Sequence, residues 1–184
     1  MPVEYLYKII LKVILVLLPL YWVGRSFFAR PDKGKLKMAL LLGISSIVFI
    51  QLVYSLLQQY VDVEQIKTLL AERQRITAAN FVWIAIYVLL GNSVLEELLF
   101  RGYIAQSGIK HPWLVSSALF AFYHLTILLG WFSWWVLLFA LLCLFVGGLM
   151  FCWLNAERKS LWNSLIMHFC ADVSLIVIGY QIFF

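Results

Sequence analysis

Glu96, Glu97 and Arg101 lie in GNSVLEELLFRGY, residues 91–103, a stretch that is otherwise apolar. Ionisable groups at membrane depth need partners and mark functional positions. Residues four apart share a helix face, so Glu97 pairs with Arg101. Glu96 is rotated about 100° from Glu97 at 3.6 residues per turn, and its own helix offers it no cation. Its partner must come from another helix, a water or a metal. A carboxylate so placed can act as a general base toward water. Two further segments supply chemistry: FAFYH, with Phe120 and His124, and HFCAD, with His168 and Asp172. His124 can orient a water against Glu96 or share its proton. His168 and Asp172 are four apart, so the carboxylate can fix the tautomer of the imidazole.

These residues must be positioned by membrane helices. The chain has 184 residues, 64% hydrophobic and only 12% charged, too little charge for a soluble domain of this size. Its apolar runs reach the ~20 residues that a bilayer crossing needs. They are continuous rather than alternating, which excludes a β-barrel and leaves helices. The expected fold is an all-α membrane protein of one domain, a polytopic bundle of about six transmembrane helices plus an amphipathic connector. The spans fall near residues 5–23, 38–57, 81–104, 112–129, 134–154 and 161–184. Residues 1–80 form the N-terminal helices and connector, and 81–184 the core helices that carry the chemistry. The first span begins like a signal peptide, with Lys8 and Lys12 before an apolar run, but no small-residue cleavage site follows. It reads as an uncleaved helix.

Between the second and third spans, Val63, Ile66, Leu69, Leu70, Arg73 and Ile76 recur at helical spacing among charged residues. That pattern predicts an amphipathic helix lying on the membrane or capping the bundle. Pro112 suits the first turn of a helix. Trp131, Trp134 and Trp135 suit an interfacial belt. Gly147 and Gly148 permit close helix packing. The net charge of +5 reflects a basic loop, with Arg25, Arg30, Lys33, Lys35 and Lys37, which the positive-inside rule puts in the cytoplasm; nucleic acid is not an expected partner. Cys143, Cys152 and Cys170 all fall inside apolar spans, at no metal-binding spacing, and no disulfide framework is expected. Glu96 lies about 8 residues from the cytoplasmic end of its span, His124 about 12 into the fourth and His168 about 7 into the sixth. At about 1.5 Å per residue these depths agree within a turn or two.

Glu96-Glu97-x-x-x-Arg101, then Phe120-x-x-x-His124, then His168-x-x-x-Asp172, in this order on separate helices, resembles the CPBP family. These are the CAAX protease and bacteriocin-processing (Abi) intramembrane endopeptidases, and the type II CAAX prenyl endopeptidases belong to them. The resemblance covers about residues 81–184; residues 1–80 match only as generic membrane helices. It implies a glutamic-type intramembrane protease without metal or other cofactor. Glu96 would be the catalytic glutamate and His124 its partner in activating water. His168 and Asp172 would stabilise the oxyanion, with Glu97, Arg101 and Phe120 in support. Prenyl endopeptidases typically have Asn where this chain has Asp172, and an ionised Asp cannot donate to an oxyanion. The departure weighs against a eukaryotic-type CAAX substrate more than against proteolysis. The implied substrate is a peptide or protein tail beside the lipid bilayer, and the implied location a bacterial inner membrane. The sequence leaves the oligomeric state open.

Three other functions fit parts of the pattern. Glu96, His124 and His168 could form a zinc-dependent site, although no H-E-x-x-H occurs. A non-proteolytic bacteriocin-immunity factor or scaffold needs no chemistry at Glu96. A proton-relaying transporter would use buried Glu and His, but no paired repeat or broken-helix pattern supports it.

Overall fold

Every described element is helical. The computed structural model describes residues 6–7, 9–14, 17, 31–157 and 160–184. Residues 9–14 are helical. Apart from residues 6, 7 and 17, the rest of the expected first span lies outside the described residues, as do the start of the basic loop with Arg25 and Arg30, and Arg158 and Lys159. Helix α1 runs Lys33–Leu57, α2 Val63–Gln74, α3 Phe81–Ile104, α4 Pro112–Leu128, α5 Trp134–Leu154 and α6 Trp162–Phe183. No strand occurs among the described residues. Four of these helices, α1, α3, α5 and α6, are long and apolar enough to cross a membrane; α4 is apolar but has 17 residues. The protein is an all-α integral membrane protein.

Helix α1 starts five residues earlier than hydropathy predicts. Asp32 accepts a hydrogen bond from the Gly34 N–H at 2.9 Å and caps it, so Lys33, Lys35 and Lys37 belong to the first turns rather than to a loop. Hydropathy marks where a chain enters apolar surroundings, whereas a cap marks where the helix begins. Asp62 caps α2 in the same way, through Gln65 N–H at 2.9 Å. Helix α2 is the expected amphipathic connector, and it caps the bundle. Its Ile66 and Leu70 are buried against Ile178 and Ile182 of α6. Gln65 Nε2 and Arg73 Nη1 donate to Gly130 O and Leu129 O at 2.8 and 2.7 Å, tying α2 to the turn after α4. Trp131 packs into this cluster instead of joining a belt, while Trp134 and Trp135 are exposed.

Helix α1 packs along α6, and α4 along α5; α3 touches both α4 and α6. The α4–α5 approach depends on Gly148: a Cβ there would stand 2.9 Å from the Cβ of Ser117. Gly147 has nothing within 4 Å of its Cβ position, so only one of the two glycines does the packing. The outer faces stay apolar; Leu41, Ile44, Val48, Leu52 and Leu56 of α1 are exposed, as lipid contact requires.

Helix α3 is not a regular α-helix. Residues Val88–Asn92 and Glu97–Ile104 are π-helical, flanking a short α-helical turn, Ser93–Glu96. The wider turns shift the hydrogen bonding, as in Ala105 N–H to Phe100 O at 2.9 Å. Serines meet the carbonyls of these turns: Ser93 Oγ lies 2.8 Å from Val88 O and 3.0 Å from Leu89 O, and Ser116 of α4 donates to Phe100 O at 2.6 Å. Polar side chains placed against carbonyls let irregular turns persist inside a membrane bundle. Widened turns frequently occur at functional sites.

Candidate active site

Both glutamates of α3 are buried, at 2% and 1% exposure, yet they meet different surroundings. Asn92, one turn earlier, donates from Nδ2 to Glu96 Oε1 at 2.6 Å. Lys12 Nζ reaches the same oxygen at 3.3 Å. Glu96 Oε2 has no hydrogen-bond partner in the protein. It faces His124 Nε2 at 3.9 Å and His168 Nε2 at 3.7 Å. Those separations are too long for direct hydrogen bonds and short enough for one water to serve both sides.

Both imidazoles are anchored through their other nitrogen. His124 Nδ1 lies 2.9 Å from Phe120 O. A carbonyl only accepts, so Nδ1 carries the proton and the neutral ring offers its Nε2 lone pair toward Glu96. His168 Nδ1 lies 3.0 Å from Glu97 Oε1, and an ionised Glu97 imposes the same tautomer. The partner of His168 is therefore Glu97, not Asp172 as the i,i+4 spacing suggests. Asp172 Oδ2 stands 3.8 Å from Nε2 and accepts from Ser93 Oγ. The helical wheel puts Asp172 on the right face, but Nδ1 points at α3.

The Glu97–Arg101 pair forms, at 3.6 Å, but neither residue depends on it alone. Glu97 also accepts from His168 and, through Oε2, from Ser164 Oγ. No Arg101 nitrogen has a hydrogen-bond partner. Its guanidinium instead lies 4.1 Å from the Phe120 ring centre, 4.6 Å from Phe151 and 5.8 Å from Phe100. Cation–π contact at these distances stabilises a desolvated guanidinium. Phe151 also stacks on His168, with centroids 5.2 Å apart and planes 18° apart. Phe120 sits between Arg101 and both imidazoles, 4.5 Å from the His124 ring and 6.0 Å from that of His168.

The structure thus brings Glu96, His124, His168 and Asp172 together from three helices, with Glu97, Arg101 and Phe120 behind them. Sequence reasoning missed Asn92, Ser164, Tyr123, Phe151 and Lys12. Asn92 and Ser164 carry a legible signal, since each lies four residues before a site residue. Among the described residues, no group of three His, Cys, Asp or Glu side chains is arranged to hold a metal ion. His124 is the more accessible of the two imidazoles facing Oε2, at 21% side-chain exposure against 6% for His168.

The family model Type II CAAX prenyl endopeptidase Rce1-like matches residues 78–174. That segment holds α3 to α5 and the part of α6 that carries His168 and Asp172. No curated protein and no solved structure gives a match.

Proposed function

The chain belongs to the Type II CAAX prenyl endopeptidase Rce1-like family, membrane proteases acting on protein substrates, and we propose that Glu96 and His124 are its water-activating pair. The observation that carries this reading is Glu96 Oε2: buried, without a protein partner, and facing the Nε2 atoms of two imidazoles, of which that of His124 is a lone-pair acceptor in the neutral ring. A water between these groups is polarised by Glu96 and His124 together. Its oxygen attacks the peptide carbonyl carbon while its proton passes to Glu96 or His124. Collapse of the tetrahedral intermediate breaks the C–N bond, and the same proton goes to the leaving amine. The products are an amine and a carboxylic acid, which releases its remaining water proton to solvent as it ionises, with no net change in the enzyme.

His168 is the candidate oxyanion donor. With Nδ1 donating to Glu97, its Nε2 can donate only when the ring carries both protons. Glu96, Glu97 and Asp172 surround that ring and supply the countercharge such a cation needs. An ionised Asp172 has no proton to donate to an oxyanion, so it acts on the charge of His168, 3.8 Å away, rather than on the substrate. Donors fixed where negative charge develops are a major source of catalysis. The substrate is a peptide or protein tail at the membrane, processed in a bacterial inner membrane.

The test compares the peptides and protein termini of membranes carrying the wild-type chain or Glu96→Gln. A shortened terminus present with the wild type and absent with the variant is expected. Identical termini at equal protein levels would remove the proposal.

A further inference from the structure

We infer that Lys12, from the helical segment before α1, is a positioning residue of this site: its ammonium keeps Glu96 ionised and holds it by Oε1, which leaves Oε2 for the water. The inference rests on the reading of Glu96 as the catalytic carboxylate. It concerns a residue outside the 78–174 segment that matches the family.

Lysine within an apolar segment is costly unless it is paired, and Lys12 is paired three times. Its Nζ donates to Asn92 Oδ1, to Tyr123 Oη at 2.9 Å and to Glu96 Oε1 at 3.3 Å. An ammonium has three donors and no acceptor, so these contacts use all of them. None is left for an oxyanion, which separates Lys12 from the groups that would touch the reacting atoms. It also lies 4.9 Å from the Tyr123 ring centre. The next residue, Val13, packs against the Leu95, Leu98 and Leu161 cluster, so neighbouring apolar contacts fix the backbone from which Lys12 reaches.

Charge accounting supports a role for Lys12. The titratable groups around Glu96 are Lys12 from the N-terminal segment, Tyr87 from α3 itself, Tyr123 and His124 from α4, and His168 and Asp172 from α6. Arg101, the buried cation of α3, lies against Glu97 and three phenyl rings. Lys12 is then the permanent positive charge beside Glu96 among these groups. Asn92 completes a closed arrangement, because its Oδ1 accepts from Lys12 while its Nδ2 donates to Glu96 Oε1. One glutamate oxygen is held twice, and the other is free.

The experiment uses the full chain in lipid nanodiscs at pH 7 and dicyclohexylcarbodiimide, which modifies a carboxyl group when it is protonated. Mass spectrometry quantifies labelling at Glu96, with Glu97 and Asp172 read in the same sample. Lys12→Gln keeps hydrogen-bond donors but removes the charge; Lys12→Arg keeps the charge. Labelling of Glu96 is expected to rise several-fold in Lys12→Gln and to return near the wild-type level in Lys12→Arg. Cleavage, scored by the termini that Glu96→Gln loses, is expected to fall at least tenfold in Lys12→Gln and to recover in part in Lys12→Arg. Unchanged labelling in Lys12→Gln overturns the inference, as does failure of Lys12→Gln to fold, which would make Lys12 a structural residue only. Full cleavage by Glu96→Gln would instead defeat the protease-site reading, and the labelling result would still judge the contact between Lys12 and Glu96.

Discussion

Glu96 and Glu97 are adjacent in the chain, equally buried, and treated in opposite ways by the protein. On the Glu97 side every oxygen is engaged: Oε1 by His168 and Arg101, Oε2 by Ser164. Ser164 is itself held by Asn155 Nδ2 at 2.6 Å. Rigid aromatic rings back that side through Arg101. On the Glu96 side one oxygen is engaged, by Asn92 and Lys12, and the other faces two imidazoles without touching either. Buried polar groups are normally satisfied, so the closed side is what folding favours. The open side is what a reaction with water requires. His168 joins the two, with Nδ1 on Glu97 and Nε2 toward Glu96.

The contrast predicts that the two glutamates fail differently. Glu97→Ala leaves the Arg101 cation without its carboxylate and the His168 Nδ1–H without an acceptor. Removing one partner of a buried ion pair costs about 3–5 kcal/mol. Glu97→Ala should therefore lower the thermal midpoint in detergent by many degrees and abolish cleavage. Glu96→Gln should abolish cleavage while the midpoint stays close to wild type. Equal midpoints for the two variants would show that the closed and open sides are not distinct. A smaller effect is expected one contact further out. Arg101→Lys keeps a cation near Glu97 but loses the planar group stacked among Phe100, Phe120 and Phe151, and the two cations are not interchangeable at stacked sites. The loss should be about 1–2 kcal/mol, with reduced but measurable cleavage. A midpoint equal to wild type would mean that Arg101 acts as a point charge alone.

The groups at the site were legible because they contrast with their background. A carboxylate or imidazole in an apolar span stands out, and Glu96, Glu97, His124, His168 and Asp172 were all found that way. The assignment of partners was less legible, for two physical reasons. A helical wheel shows that His168 and Asp172 share a face of α6, but not that the Nδ1 of His168 turns to Glu97 on another helix. The phenyl rings around Arg101 come from α3, α4 and α5, and among 14 phenylalanines an apolar ring in a membrane chain has no contrast at all. Lys12 is a different case. The rule that singled out Glu96 applies to it equally, but its position before an apolar run, with Lys8 nearby, resembles the flank of a leader sequence. Length and hydropathy revealed the helical membrane class, while α1 began earlier than hydropathy predicted because Asp32 caps it.

The smallest expected effect lies farthest from both glutamates. Helix α2 seals the end of the bundle where Ile66 and Leu70 meet Ile178 and Ile182. Ile178 is 10 residues beyond His168, roughly 15 Å along α6 at the helical rise. An amphipathic helix at the edge of a membrane bundle invites reading as a gate, but its contacts are those of a cap. Its buried face is aliphatic, and its polar side chains bind the backbone carbonyls of Leu129 and Gly130 rather than any group near Glu96. Ile66→Val removes one methyl from that packing, at about 0.5–1.5 kcal/mol. A cap should pass this cost to stability alone: the thermal midpoint falls slightly, and cleavage per folded molecule stays within twofold of wild type. A gate would respond otherwise, because loosening its seat changes how often it opens. A cleavage rate that moved several-fold while the midpoint hardly changed would make α2 part of the access path, and the open side of α3 would then extend to that end of the bundle.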